Sequence, residues 1–426
     1  MQRRTLAAGL FLAPAALAAR MRPAFSAAAP GQAGQRAVLR HYADLGQAMF
    51  EDCLETGRAL RQAVDSFLAA PSEEGLAAAR RAWIAARAPY AQTETLRFGN
   101  PEVDAWEGRV NAWPLDEGLI DDVDAGYGTE SDENPLYAAN IIGSRSLRLG
   151  DETRDLSALT AEALEALHEA GEVEANVTIG YHAIEFLLWG QDLNGTGPGA
   201  GRRPFTDYTT AANADRRGQY LRIVTGLLVK DLEEMVAQWS PGGAIRRRLA
   251  ANPAPEGLAA MLAGMGSLSY GELAGERMKL GLLLHDPEEE QDCFSDNTHN
   301  SHRGNVLGMV AVWRGEYRRA DGRVLRGASL RNLVDGTDRR LREEMDARLA
   351  ATLAAFDALA RRAETVEAYD QMLAEGNREG NAAIQAGIDA LVAQTRSIER
   401  VVAALKLPAL SVEGSQSLDD PAKVFK

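Results

Sequence analysis

Residues 177–189 read Val-Thr-Ile-Gly-Tyr-His-Ala-Ile-Glu-Phe-Leu-Leu-Trp, and the strongly polar groups in this run are His182 and Glu185. A spacing of three places both on one face of a helix. The surrounding residues are apolar on nearly every side, so the pair is expected to be buried. An imidazole and a carboxylate taken out of water cost several kcal/mol unless each finds a partner. A metal ion is one such partner, because imidazole nitrogen and carboxylate oxygen ligate zinc and first-row transition metals. The competing reading is a His–Glu hydrogen bond inside a core helix. Gly180 would let another backbone or a ligand come close. The motif is neither HExxH nor HxxEH, because Phe186 holds the last position and no histidine lies four residues from His182. A catalytic zinc generally has three protein ligands. Two are present here, so the rest must come from elsewhere.

Two other stretches carry candidates. Residues 292–302 include Asp292, Asp296, His299 and His302. The histidines, three apart, could ligate a metal if helical, whereas the Asp-Asn-Thr composition favours a helix start capped by Asp296 or Thr298. Around an apolar Trp-Pro-Leu segment lie Glu94, Arg97, Asp116, Glu117, Asp121 and Asp122. Their carboxylates could complete an oxygen-rich site for a hard cation, although a solvated, arginine-paired rim is the commoner fate. Tyr90, Trp106 and Trp113 read as packing residues. Met261, Met265 and Met278 read as core rather than as a copper or haem site. The glycine-rich residues 194–201 lack the Gly-Lys-Ser/Thr ending of a phosphate loop and read as a flexible connector.

Helical periodicity must position these groups. Val38, Tyr42, Leu45, Met49, Cys53, Leu60, Val64 and Phe67 form one stripe of a long helix. A break at residues 71–74 starts a second helix that runs through Trp83, Arg87, Tyr90 and Glu94 to about Gly99. Residues 99–155 lose the pattern and read as a long loop. Helix returns at 156–170, then around His182, and then over roughly 208–239, 256–284, 303–317, 337–364 and 378–405. No convincing period-two strand appears, and the tail after residue 407 reads as loose. Residues 180–185 also echo residues 271–276, Gly-Tyr-His-Ala-Ile-Glu against Gly-Glu-Leu-Ala-Gly-Glu, with leucine replacing histidine. An internal duplication and chance matching in an Ala/Gly/Glu-rich chain are both open readings of this echo.

The whole chain has 426 residues and a net charge of −15, which excludes a typical nucleic-acid binder and suits attraction of cations. Its 46% hydrophobic content supports large cores, and the low aromatic share favours helices over sheets. The N-terminus reads as a secretory signal over residues 1–28, with Arg3 and Arg4, an apolar run, and small residues at 16–18 and 26–28. Residues 1–27 carry four arginines and no acid, so their loss would take the charge from −15 to −19. No later run is long enough to span a membrane, which leaves peripheral association open. Cys53 and Cys293 could pair in an oxidising compartment, but Cys53 lies on the apolar stripe and reads as a buried small hydrophobe. Neither follows the signal closely enough for a lipid anchor.

The Gly180-x-His182-x-x-Glu185 motif resembles the signature of the imelysin-like family, also known as the insulin-cleaving membrane protease or iron-regulated protein A family. The similarity extends to Ala82-Trp83, Ala86-Arg87, Pro89-Tyr90, Glu94 and Arg97-Phe98, and to residues 110–117 and 293–299. It covers roughly residues 35–400. The resemblance implies an all-α fold of two related four-helix-bundle-like domains, set here at 29–205 and 206–406 with a tail at 407–426, and a functional site near their interface. It also implies an exported bacterial protein linked to iron acquisition, with His182 and Glu185 as metal-binding positions. The expected product is therefore a periplasmic, metal-binding protein, with iron favoured and zinc second, acting with iron-transport components of a membrane. Glu94, Asp116, Glu117 and His299 are candidate further ligands, and Gly180 and Arg97 candidate site residues. A metallopeptidase and a binding module with a purely structural His–Glu pair are the rivals.

Overall fold

In the computed structural model, which describes residues 31–131 and 134–425, helices dominate. The secretory-signal expectation falls outside the described residues. Helix α1 (Gln32–Ala69) buries the stripe read from the sequence, including Val38, Tyr42, Met49, Cys53, Leu60, Val64 and Phe67. Ser72 caps α2 (Glu73–Thr93) by accepting from the Gly75 amide at 3.1 Å. Helix α2 stops at Thr93 and tightens into a short turn, Glu94–Leu96, rather than running to Gly99.

Residues 99–155 are more ordered than the lost pattern suggested. Pro101 opens α3 (Pro101–Asn111), which buries Val103, Trp106 and Val110. A proline that looked like a break is a helix start. Helix α4 (Glu117–Ile120) follows, then an antiparallel hairpin of β1 (Ser146–Leu149) and β2 (Glu152–Asp155). The helix expected over 156–170 shrinks to α5 (Ala161–Glu165), since the chain turns left-handed at Glu169 and Gly171. Helix α6 (Gly180–Trp189) carries the motif.

Helix α7 (Ala214–Trp239) leads to α8 (Ala244–Ala251) and α9 (Ala254–Ser267). The expected segment 256–284 is not one α-helix: α9 widens into a π-helical stretch, Leu268–Lys279, before α10 (Leu280–Leu284). Helix α11 (Thr298–Arg314) stops at left-handed Gly315 and is followed by a second hairpin, β3 (Glu316–Arg318) with β4 (Val324–Arg326). Both hairpins are corrections to the strand-free reading; they are too short to show periodicity. Helices α12 (Leu330–Asp335), α13 (Arg339–Thr365), α14 (Tyr369–Leu373), α15 (Arg378–Leu405) and α16 (Gln416–Asp419) complete the chain. The tail is docked, not loose: Ser417 Oγ donates to the Gly275 carbonyl at 2.9 Å, and Tyr270 donates to Asp419 at 2.7 Å.

Packing divides the helices. α1 lies along α2 and α7, and α6 packs on α2 and α7. On the other side α15 packs on α13, α9 and the π-helical stretch, and α13 on α11. Helix α7 follows the boundary drawn at 205/206 yet packs with α1. The two groups meet where α11 crosses α2 and where α9 packs on α1. Gly304 and Gly308 make that crossing close: a Cβ on either would press into Ala91 or the Gln92 carbonyl. Cys53 and Cys293 are both free thiols.

Candidate metal centre

All ten residues of α6 are buried. Gly180 starts the helix at φ +85°, and a Cβ there would come within 2.7 Å of the Val110 carbonyl oxygen at the end of α3. Only glycine fits that backbone and that approach. The carbonyls at the far end, which a helix cannot satisfy internally, are met by side chains: Arg80 donates to Leu188 at 2.9 Å, and Tyr208 donates to Leu187. Trp83 donates to the Tyr181 carbonyl at 2.9 Å. The helix is thereby held rigidly by its neighbours.

His182 and Glu185 share one face as their spacing predicted, with Nδ1 and Oε2 3.0 Å apart. Asp292, in the segment ahead of α11, brings Oδ1 to 4.0 Å from the same nitrogen. One ligand atom from each of the three lies within 4.8 Å of the others, and all three residues are buried. Bonds of 2.0–2.2 Å from a metal to N and O set donor–donor edges of about 3.0–3.5 Å, so the observed spacing needs only small closure. His182 Nε2 has no hydrogen-bond partner. Nδ1 is the nitrogen that faces both carboxylates, so the fit rests on that nitrogen and the two carboxylates. The donors present therefore fit a metal ion, and the mixed N/O set suits iron or zinc.

Neighbours tune each donor. Burial, and then Arg87, lower the His182 imidazole to about 3, which keeps it neutral and its lone pair available. Burial, and then Asp292, push the Glu185 carboxyl well above its usual range, although Ser295 donates to Oε1 from its amide at 3.0 Å and its hydroxyl at 2.7 Å. Burial also works to raise Asp292, but Arg87, His182, Ser301 and Asn297 outweigh it and bring the carboxyl to about 2. Arg87 donates to Asp292 Oδ1 at 2.9 Å; Asn297 and Ser301 donate to Oδ2 at 2.9 and 2.5 Å. The buried guanidinium also donates to Asn111 at 2.6 Å and lies 5.2–5.7 Å from the rings of Trp83, Tyr90 and Tyr181.

The other sequence candidates lie around this centre rather than in the converging group. Glu94 is buried and accepts from Arg277 at 2.6 Å. Arg97 pairs with Asp104 at 2.9 Å and lies 3.5 Å from both Glu107 and Glu272. Asp116 accepts from Asn134, and Glu117 from Gln191. Asp121 is clamped by Arg203 and Arg217 at 2.8 and 2.6 Å, and Asp122 accepts from Asn140 at 2.6 Å. His299 sits in the first turn of α11 with Nδ1 unpaired, outside the three-donor group. The helix starts at Thr298 with Asn297 as cap position, so both His299 and His302 are helical, while neither Asp296 nor Thr298 is the cap. Asp292 stands in a separate stretch of the sequence, and no local spacing signals that it meets His182.

A mostly helical chain that closes a His–Glu–Asp group between two helical layers is the class of protein defined here. The family model for imelysin (Peptidase_M75) matches residues 46–398, and the chain belongs to that family. It is 23% identical over 353 residues to iron-regulated protein A of Synechococcus elongatus, covering 80% of this chain and 78% of that protein. A solved structure from Parabacteroides distasonis, which carries the provisional name iron-regulated protein A precursor, is 19% identical with a TM-score of 0.65. That match covers 89% of this chain and 97% of the other, and it supports the shared fold.

Proposed function

We propose that this chain is an exported metal-binding protein that serves iron uptake or handling, with His182, Glu185 and Asp292 as its ligands. The observation that carries the reading is the convergence of one buried nitrogen and two buried carboxylates from segments far apart in the chain. Iron is favoured over zinc by the names of the relatives, since the donor set accepts both. Export to a periplasm rests on the basic and apolar N-terminal residues, and cooperation with iron-transport components of a membrane on the family relationship. Among the described residues no helix is long and apolar enough to cross a membrane.

The two helical groups are read as related halves from the 180–185 and 271–276 echo. A Cβ on Gly271 would come within 2.6 Å of the Glu413 carbonyl oxygen, as one on Gly180 would meet Val110.

The deciding experiment is elemental analysis of protein from its native compartment, followed by anaerobic Fe²⁺ titration of metal-free wild type and His182→Ala. Wild type is expected to bind and the variant to lose specific binding. Unchanged affinity in the variant overturns the reading. Hydrolysis of unfolded protein by metal-loaded wild type, lost in His182→Ala, would instead establish the metallopeptidase.

A further inference from the structure

Past Asp292 lies a second group of buried polar side chains that no described residue hydrogen-bonds. Glu290 and His302 are fully buried and Asp370 is 2% exposed. Neither carboxylate oxygen of Glu290 or Asp370, and neither ring nitrogen of His302, has a partner. The Tyr369 hydroxyl is buried and equally alone. The Thr298 hydroxyl lies near Glu290, and the backbone amides of Asp370 and Gln371 lie near the Asp370 carboxylate, but no hydrogen bond of ordinary geometry reaches either acid.

These groups come from three segments. Glu290 follows the Pro287–Glu289 turn, on which α14 packs; α14 supplies Tyr369 and Asp370, and α11 supplies His302. The His302 and Tyr369 rings meet edge to face at 5.2 Å. Half-buried Asp296 and Asp192 stand outward of this group, and their charges act on Asp370. Elsewhere the chain answers a buried acid with arginine, as at Asp121 and Glu94. Burying unanswered carboxylates is costly enough that folded proteins neutralise or coordinate them.

We propose that Glu290, Asp370 and Tyr369, with His302 beside them and Asp296 and Asp192 at the rim, form a second station that holds a hydrated divalent cation. The oxygen-rich donor set favours a hard ion. Among the described residues only His182, Glu185 and Asp292 converge within 4.8 Å. An ion at the second station therefore keeps part of its water shell, as small hard dications do. The station adjoins the first centre, because Glu290 stands two residues before Asp292 in the chain.

The test counts Mn²⁺ bound to the metal-free full chain, using the electron paramagnetic resonance signal of the free aqua ion. Wild type is expected to take two ions, and Glu290→Gln/Asp370→Asn one, with the lost site displaced by excess Mg²⁺ in wild type. His182→Ala should lose the other ion, so failure of the first centre shows separately. Removing two like charges should leave the metal-free melting temperature unchanged or higher. If the double variant fails to fold, Glu290→Gln alone should weaken that site at least tenfold. The same stoichiometry and affinities in wild type and the folded Glu290 or double variant overturn the proposal.

Discussion

Arg87 donates to Asp292 Oδ1 at 2.9 Å, and the same oxygen lies 4.0 Å from His182 Nδ1. Arg87 belongs to α2 and Asp292 to the segment leading into α11, so this ion pair spans the crossing at which the two helical groups meet. The guanidinium does two opposed things. It keeps Asp292 ionised, as a ligand must be. It also places a positive charge beside the proposed cation site, and Glu185 is needed to restore a net negative charge there.

Replacing Arg87 by alanine should therefore cost more than a surface pair would. It strands a buried carboxylate, for which about 3–5 kcal/mol is typical. Chemical denaturation of metal-free protein should show a loss of that order. Arg87→Lys keeps the charge but not the planar fork and should fall between. A loss below about 1 kcal/mol in Arg87→Ala would mean that the pair contributes no more than an exposed one.

The α2–α11 crossing gives a second expectation. A methyl on Gly308 must displace the Gln92 backbone, and overpacking of this kind costs about 1–3 kcal/mol. Because Asp292 precedes α11, Gly308→Ala should also weaken metal binding. Gly226→Ala in α7 is the control: a Cβ there meets nothing within 4 Å, and the helix should gain about 0.5–1 kcal/mol. Melting curves and metal titrations of both variants test the pair; equal effects would show that the crossing does not position the site.

What the sequence could carry depended on range. His182 and Glu185 are three residues apart, so local helix geometry alone puts them together, and their apolar setting announced burial. The long stripe of α1 was legible for the same reason. Asp292 and Arg87 were both visible as residues, but no local period links positions 205 apart; their meeting depends on tertiary packing. Helix α3 was missed because Asn100-Pro101 reads equally as a break and as a start. The hairpins, with strands of three or four residues, offer too little alternation to detect.

Glu117 supplies a stability test away from the three donors. Burial, and then Glu288, raise its carboxyl to about 8. The folded state therefore holds this proton to a higher pH than the unfolded chain, whose carboxyl titrates near 4.3. The stability it contributes is fully present below the unfolded value and is lost as pH rises toward about 8. Glu117→Gln should flatten the fall in melting temperature between about pH 4.3 and 8. An unchanged profile in the variant would assign the pH dependence to other groups.

Metal binding should follow the opposite sign. Burial, and then Asp292, hold Glu185 well above the usual carboxylate range, so the metal-free carboxyl keeps its proton to a higher pH than an exposed one does. A cation must displace that proton before the carboxylate can ligate. Affinity should then rise by about tenfold per pH unit while Glu185 remains protonated in the free protein. Calorimetry in buffers of different ionisation enthalpy should register about one proton released per ion. The amide and hydroxyl of Ser295 both donate to the ionised form of Glu185, so removing the hydroxyl makes that proton harder to displace. Ser295→Ala should weaken metal binding about 10–100-fold at neutral pH, with the deficit shrinking as pH rises. Proton-free binding in wild type at a pH where the free protein still holds the Glu185 proton would mean that Glu185 is not a ligand, and that the ion uses His182 and Asp292 without it.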